Sequence, residues 1–216
     1  MKKILLFMGV VALSSTAMAQ TQVQKGSIII DPYIGVPNWA NSILYNELDP
    51  DTQETGVTDY KTNGGMLSYG GRAEYLVADD FGIGIDVNYE VSGFNFNYTD
   101  STYDPASNTY STSKYNYDYK AKKIRAMLRL TYHFVQNERV DAYTAFAGGY
   151  KGVNRSTASN DPGFQPTTGE ALIPVAFRLA VGARIYFTEN IGINMELGAF
   201  GGALLQFGVS FKIPTY

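Results

Sequence analysis

Few side chains in this chain could do chemistry. His133 is the only histidine and cysteine is absent, so a nucleophilic or acid–base site would have to gather around one imidazole. His133 lies in the segment IRAMLRLTYHF, on the same alternate positions as Arg125 and Arg129, and reads as a satisfied histidine within a wall of strands. Gly82-Ile83-Gly84 lacks the third glycine and the helix of a dinucleotide site. The acidic stretch Asp49-Pro50-Asp51-Thr52-Gln53-Glu54 lacks the central glycine and closing glutamate of a calcium loop, and reads as a solvated loop. Asn97-Tyr98-Thr99 and Asn154-Arg155-Ser156 match a glycosylation acceptor pattern that arises easily by chance. No catalytic residue, metal ligand or cofactor is expected.

What remains is a set of charges spaced by two. In FGIGIDVNYEV, Ile83, Ile85, Val87, Tyr89 and Val91 alternate with Gly84, Asp86, Asn88 and Glu90, the pattern of a strand with one apolar and one polar face. Eight such segments are legible: Ile28–Val36, Leu67–Val77, Ile83–Val91, Ile124–Phe134, Val140–Tyr150, Val175–Phe187, Ile191–Phe200 and Leu205–Ile213. Their apolar phases carry no charge. The opposite phases carry Asp31, Glu74, Asp86, Glu90, Asp141 and Glu196 against Arg72, Arg125, Arg129, Arg178, Arg184 and Lys212. The chemistry this predicts is mutual neutralisation, with Arg72, Glu74, Asp86, Glu90, Arg125, Arg129, Arg178, Arg184 and Glu196 as its principal members.

Alternation alone does not say which face meets which solvent. Five of the seven arginines sit on the polar phases but only one of the ten lysines does. Arginine's planar fork suits crowded pairing with carboxylates, whereas lysine favours open water. The polar faces therefore read as a narrow interior, and the apolar faces as the outside. The phase also inverts beyond Val91. Phe94, Phe96 and Tyr98 continue on the former polar phase, Tyr115, Tyr117 and Tyr119 do the same ahead of Ile124, and Lys120 and Lys122 take the outward one. A strand leaving a hydrocarbon layer for water behaves in this way, provided no bulge intervenes at Gly93. A soluble barrel would keep its apolar phase inside throughout.

The connections support the same layout. Those at Ala78–Phe81, Val135–Arg139 and Thr188–Asn190 are tight, whereas those near 37–66, 92–123 and 151–174 are long and polar. Short turns at one end and long loops at the other suit a closed transmembrane barrel. A short helix is possible near Trp39, Ile43 and Leu44. Tyr75, Tyr132, Phe134 and Phe187 would form one interfacial girdle, and Tyr89 and Tyr150 the other.

Lys2 and Lys3, the apolar run Ile4–Leu13 and Ala17-Met18-Ala19 make residues 1–19 a secretory signal peptide, with cleavage expected between Ala19 and Gln20. Its apolar core is too short to span a bilayer. Residues 20–216 then form a single domain of about 197 residues, whose formal charge falls from −3 to −5 with the loss of two lysines. That charge gives no reason to expect nucleic acid. The fold class is all-β, an eight-stranded antiparallel up-and-down barrel that crosses the membrane.

The last strand carries a recognisable pattern. Gln206, then Gly208, then Phe211 and Ile213 at alternate positions resemble the C-terminal signal read by the outer-membrane assembly machinery. The chain runs three residues further but still ends on an aromatic, Tyr216. With the signal peptide and eight strands, the chain resembles the small outer-membrane β-barrel superfamily, the OmpA/OmpX-like barrels, over essentially its whole mature length. The resemblance implies an outer-membrane location, lipid and lipopolysaccharide as surroundings, the assembly machinery as a partner and a monomeric state. It says little about activity, because the superfamily includes adhesins, structural proteins, small channels and a few lipid-modifying enzymes. Those enzymes place a histidine with a serine or acid near the outer side, and His133 lies at the other end. The expected role is structural or cell-surface interaction. The alternatives are a narrow channel or lateral route for small molecules, and an exported soluble barrel that binds a ligand inside. Lys120 and Lys122, with Lys123 beside them, are expected to meet lipid phosphates. The tyrosine-rich stretch 94–119 is a possible surface for an unknown ligand.

Overall fold

The computed structural model describes residues 23–36, 56–63, 67–169 and 174–214. The signal peptide, the segment around Trp39, the acidic stretch 49–54 and Tyr216 lie outside the described residues. Among the described residues there are ten strands: β1 (Ile28–Val36), β2 (Val57–Asn63), β3 (Ser68–Ala78), β4 (Phe81–Asp104), β5 (Thr109–Gln136), β6 (Val140–Ser159), β7 (Thr168–Gly169), β8 (Val175–Tyr186), β9 (Ile191–Ala199) and β10 (Leu205–Ile213). Eight of them close a ring of antiparallel neighbours, β1-β3-β4-β5-β6-β8-β9-β10, which β10 completes by pairing back onto β1 from Ile28↔Ile213 to Val36↔Leu205. Closure leaves no strand of the ring with a free edge, so the backbone groups of all eight are paired laterally. The other two strands pair outside the ring, β2 on the outer half of β4 and β7 on β6.

The inside-out assignment is borne out strand by strand. Along β4 the outward residue Ile85 is 50% exposed, and on β5 Leu128 is 73% exposed. Arg178, Arg184, Asp86 and Glu196 are completely buried. All six residues expected in the two aromatic girdles point outward and are exposed. The charged faces thus form the core and the apolar faces form the surface, the reverse of a soluble domain.

The expected long connection at 92–123 is itself strand. β4 and β5 run as one hairpin whose register is unbroken from Phe81↔Tyr132 to Asp104↔Thr109, so no bulge interrupts the phase at Gly93 and the inversion is real. The physical reason is the direct opposition of aromatic rings. Phe94 faces Tyr119, Phe96 faces Tyr117 and Tyr98 faces Tyr115, and cross-strand aromatic pairs on a β-favouring sequence extend a ladder. The twelve pairs beyond Ser92↔Ala121 project roughly 40 Å at a rise of about 3.4 Å per residue. β2 flanks the projection on one side through Val57↔Tyr98 and Asn63↔Gly93, and β6 on the other as far as Tyr117↔Ser159. At the tip, the Asp104 carboxylate accepts from the Ala106 backbone N–H at 2.9 Å and from Ser107 Oγ at 2.7 Å. Asn108 takes a left-handed φ of 51°, which Asn tolerates better than most residues.

Paired backbone resists proteases and a bare tip does not. Limited proteolysis of the folded protein is therefore expected to cut between 105 and 108 and to spare 93–103 and 110–122. Mass mapping of the fragments checks this, and early cleavage inside 93–103 contradicts the ladder.

Candidate functional site: an ion-pair core beneath an aromatic hairpin

The barrel interior is stacked in levels. At the tight-turn end, Val23, Ile29, Leu76 and Tyr186 form a small buried apolar floor. Leu76 and Ile29 stand on the inward phases of β3 and β1, so sequence alternation marked their direction but not their packing together.

Above the floor lies a cluster in which one guanidinium serves three carboxylates. Arg184 Nη1 donates to Asp141 Oδ2 at 2.8 Å, and Nη2 donates to Asp31 Oδ2 at 2.8 Å and Glu74 Oε2 at 2.6 Å. His133 bridges two of the same acids, with Nδ1 2.6 Å from Asp141 Oδ1 and Nε2 3.0 Å from Glu74 Oε1. Both partners are carboxylates serving as acceptors, so both ring nitrogens carry protons and the ring is an imidazolium. No ring nitrogen is left for a substrate. Ser210 Oγ donates to the second oxygen of Asp31 at 2.6 Å.

The next level reverses the stoichiometry: one carboxylate serves three guanidinium groups. Glu196 Oε2 accepts from Arg72 Nη1 and from Arg129 Nη2, and its Oε1 accepts from Arg178 Nε at 2.9 Å. Tyr143 OH donates to Glu196 Oε2 at 3.2 Å. The Tyr143 ring also carries Arg184 on its face at 4.5 Å and Arg129 at 5.4 Å, so one phenol ties the two levels together by cation–π contact. Asp86 accepts from Tyr33 OH at 2.6 Å and lies 3.7 Å from Arg129 Nη1. Asp31 lies 3.7 Å from Arg72 Nε and links the levels a second time. Gly198 and Gly182 make this crowding possible. A Cβ at Gly198 would run into the Arg178 guanidinium, and one at Gly182 into the Tyr143 ring.

The mouth is closed by the short β9–β10 connection. Phe200, Gly201 and Gly202 adopt φ of 62°, 57° and 144°, a sharp turn in which Phe200 is a strained non-glycine residue. Arg178 Nη1 donates to the carbonyls of Phe200 at 3.2 Å and Ala203 at 3.0 Å, and Asn88 Nδ2 donates to Gly201 O at 3.2 Å. These bonds hold the turn down and leave Ala203 fully buried. Beside it, Arg125 donates to Asn88 Oδ1 at 2.9 Å and to Glu90 Oε1 at 2.8 Å.

Each member of the expected charge set is therefore in the interior, distributed over the two central clusters and the mouth. Sequence reading named His133 as satisfied but missed the network roles of Tyr33, Tyr143, Asn88 and Asn194, whose Oδ1 accepts from Arg72 Nη2 at 2.8 Å. Their signal was position, since each is a polar or hydroxylated residue on an inward phase. Gln206, expected only as part of the assembly signal, is fully buried with Oε1 3.4 Å from Arg72 Nη1. Phe211 and Ile213 of that signal point outward. Gly208 lets β1 come close, because a Cβ there would strike the Pro32 carbonyl.

The aromatic set forms a stacked ladder on the inward face of the projecting hairpin. Phe94 and Tyr119 lie 4.8 Å apart, Phe96 and Tyr117 5.2 Å, and Tyr60 from β2 joins Phe94 at 5.8 Å. Tyr117 OH donates to Asp161 Oδ2 at 2.7 Å, and this hydrogen bond holds the phenol proton up to about 12. Asp59 accepts from Asn97 at 2.8 Å and Lys114 at 3.2 Å, which keeps its carboxyl below the usual carboxylate range. Of the lysines expected at lipid phosphates, Lys120 pairs with Asp118 at 2.7 Å. Lys123 turns inward to Glu90 at 3.1 Å, because it stands on the inward phase of β5. Lys122 alone of the three faces outward without such a partner among the described residues.

No family model and no curated protein matches the chain. Among solved structures it is similar to the N-terminal β-barrel domain of Pseudomonas aeruginosa OprF, at 14% identity over 88% of this chain and 99% of that one, with a TM-score of 0.46. It is also similar to the outer membrane protein OprG from Pseudomonas aeruginosa, at 11% identity over 91% and 100%, with a TM-score of 0.49. A third is Ail, the attachment invasion locus protein of Yersinia pestis, at 12% identity over 88% and 99%, with a TM-score of 0.41. At this distance no ligand and no activity passes from those proteins to this chain.

Glu196 is the most connected charge. Glu196→Ala leaves three buried guanidinium groups without their shared acceptor, and breaking a buried pair costs about 3–5 kcal/mol. Glu196→Gln keeps the shape and loses the charge, and is expected to fall between Glu196→Ala and wild type. Urea unfolding of the detergent-refolded barrel, followed by the shift between folded and unfolded gel bands, measures both. A loss under 1 kcal/mol for Glu196→Ala contradicts the assigned network.

Proposed function

We propose that this chain is an integral outer-membrane β-barrel with a filled, non-conducting lumen and a structural or cell-surface interaction role. One observation carries the reading: ionised groups fill the core while the apolar side chains form the outer wall all around the ring. Soluble monomers rarely expose apolar patches beyond a few hundred Å². A belt of Ile, Leu, Val and Phe around eight strands calls for hydrocarbon as its solvent. Its partners are membrane lipid and lipopolysaccharide around the belt, and the assembly machinery through Gln206, Gly208, Phe211, Ile213 and Tyr216. It acts as a monomer without cofactor or catalysis, after removal of the signal peptide before Gln20.

The surface role falls to the hairpin. Its inward ladder is consumed by mutual stacking, so the rings Phe94, Phe96, Tyr117 and Tyr119 stiffen the projection more than they offer area to a ligand. Tyr103 and Tyr110 at the tip, 5.1 Å apart and both exposed, are the aromatic surface presented to a partner.

The expected outcome in a planar bilayer is no large stable conductance, because side chains fill an eight-stranded interior. A sustained open level in wild type overturns the filled-lumen reading and favours the narrow channel. Fractionation with outer membranes and heat-modifiable gel migration test the location. Recovery of all of the protein in the soluble periplasm favours the soluble ligand-binding barrel.

A further inference from the structure

A groove of about 550 Å³ lies on the outer wall at the loop end of the barrel, where the apolar belt gives way to polar residues. Its outward-facing lining is Tyr89, Lys122, Ile124, Tyr150, Gly152 and Asn154. The register sets these in two rows. Tyr89, Ile124 and Gly152 are lateral neighbours, and one step further out Lys122 stands beside Asn154. Gly152 keeps the floor open, since a Cβ there would sit 3.2 Å from Ile124 Cγ2 and 3.3 Å from Tyr150 Cε1. Two tyrosine rings thus flank a gap with an ammonium and a carboxamide over its outer lip and an aliphatic side chain at its inner edge.

Lys114 pairs with Asp59, Lys120 with Asp118 and Lys123 with Glu90, whereas the side chains of Lys122 and of Lys151, which also lines the groove, make no ion pair among the described residues. Of these two, Lys122 stands on the outward phase. A cation left unpaired at the headgroup level draws a phosphate. The tyrosine rings offer flat apolar faces to a sugar ring and their hydroxyls to its polar edge. Asn154 can both donate and accept toward hydroxyl or amide groups. Ile124 marks where an acyl chain would begin. We propose that this groove holds the phosphorylated sugar headgroup of an outer-leaflet glycolipid, with Lys122 on the phosphate and Tyr89 and Tyr150 against the sugar. The proposal rests on the membrane reading above, since only there does this wall meet lipid.

Native mass spectrometry of the detergent-extracted barrel, incubated with diphosphorylated lipid A, tests it. The wild type is expected to retain one lipid A through detergent exchange and to discriminate against phosphatidylglycerol and dephosphorylated lipid A. Lys122→Gln is expected to weaken retention about tenfold, as loss of a charged hydrogen bond does. Gly152→Val, which fills the floor, is expected to weaken it as well, and Lys114→Gln to leave it unchanged. Heat-modifiable migration of each variant shows that the barrel is intact. Equal retention by Lys122→Gln and wild type, equal retention of phosphatidylglycerol, or displacement by inorganic phosphate alone overturns the proposal. If the variants still fractionate with outer membranes in those cases, the membrane reading stands while the site falls. A wild type found soluble defeats both.

Discussion

The structure depends on two charge clusters, neither of which could exist without the other. Around Glu196, the guanidinium groups of Arg72, Arg129 and Arg178 outnumber the carboxylates of Glu196 and Asp86 by one. Around Arg184, the carboxylates of Asp31, Glu74 and Asp141 outnumber Arg184 and the His133 imidazolium by one. Each excess would be ruinous alone in a medium of low dielectric constant. Stacked in one lumen, with Asp31 and Tyr143 spanning the boundary, they cancel. The hydroxyls of Tyr33 and Ser210 take the carboxylate oxygens that the guanidinium groups leave open, and Tyr143 OH adds a third donor to Glu196 Oε2.

The geometry of the barrel follows from this core. Bulky side chains need room, and glycine supplies it to the Tyr143 ring at Gly182 and to the Arg178 fork at Gly198. Arg178 does double service: its Nε holds Glu196, while its Nη1 pins the Phe200–Ala203 turn over the mouth. The strained φ of Phe200 is tolerated because Arg178 and Asn88 fix its own carbonyl and those of Gly201 and Ala203 after it. The apolar outer wall asks less of individual residues, since its side chains point away from the core and match no partner within it.

Period-two alternation and the arginine bias were enough to read the ring, its phase and the membership of its core. The bounds of β1 and β10 agree with the segments Ile28–Val36 and Leu205–Ile213, because Gly and Pro punctuation or a polar turn ends each of them. Three things were not legible. The length of β4 and β5 was hidden because Asn, Asp, Ser and Thr between aromatics look like loop composition, although ring-to-ring opposition makes them strand. β2 and β7 were hidden because short polar strands carry no apolar period. The distribution of partners within the core was hidden because alternation gives direction, not height, and the heights depend on the stagger of strands around the ring. Alternation along β5, not stagger, turns Lys123 inward to Glu90 while Lys122 beside it faces out.

The ion pairs join residues far apart along the chain: Arg184 meets Asp31 across 153 positions, and Ser210 meets it across 179. No pair of adjacent strands can satisfy the core alone, and neither can any open sheet that lacks β1 or β9. Pairs on neighbouring strands, such as Arg178–Glu196 and Arg184–Asp141, can form early, but a half-assembled barrel would leave the cross-lumen partners Arg184–Asp31 and Arg72–Glu196 bare until the ring closes. Closure of the ring is thereby made cooperative. The electrostatics reward the finished ring most, so the chain is driven past partially assembled states toward a single sealed cylinder.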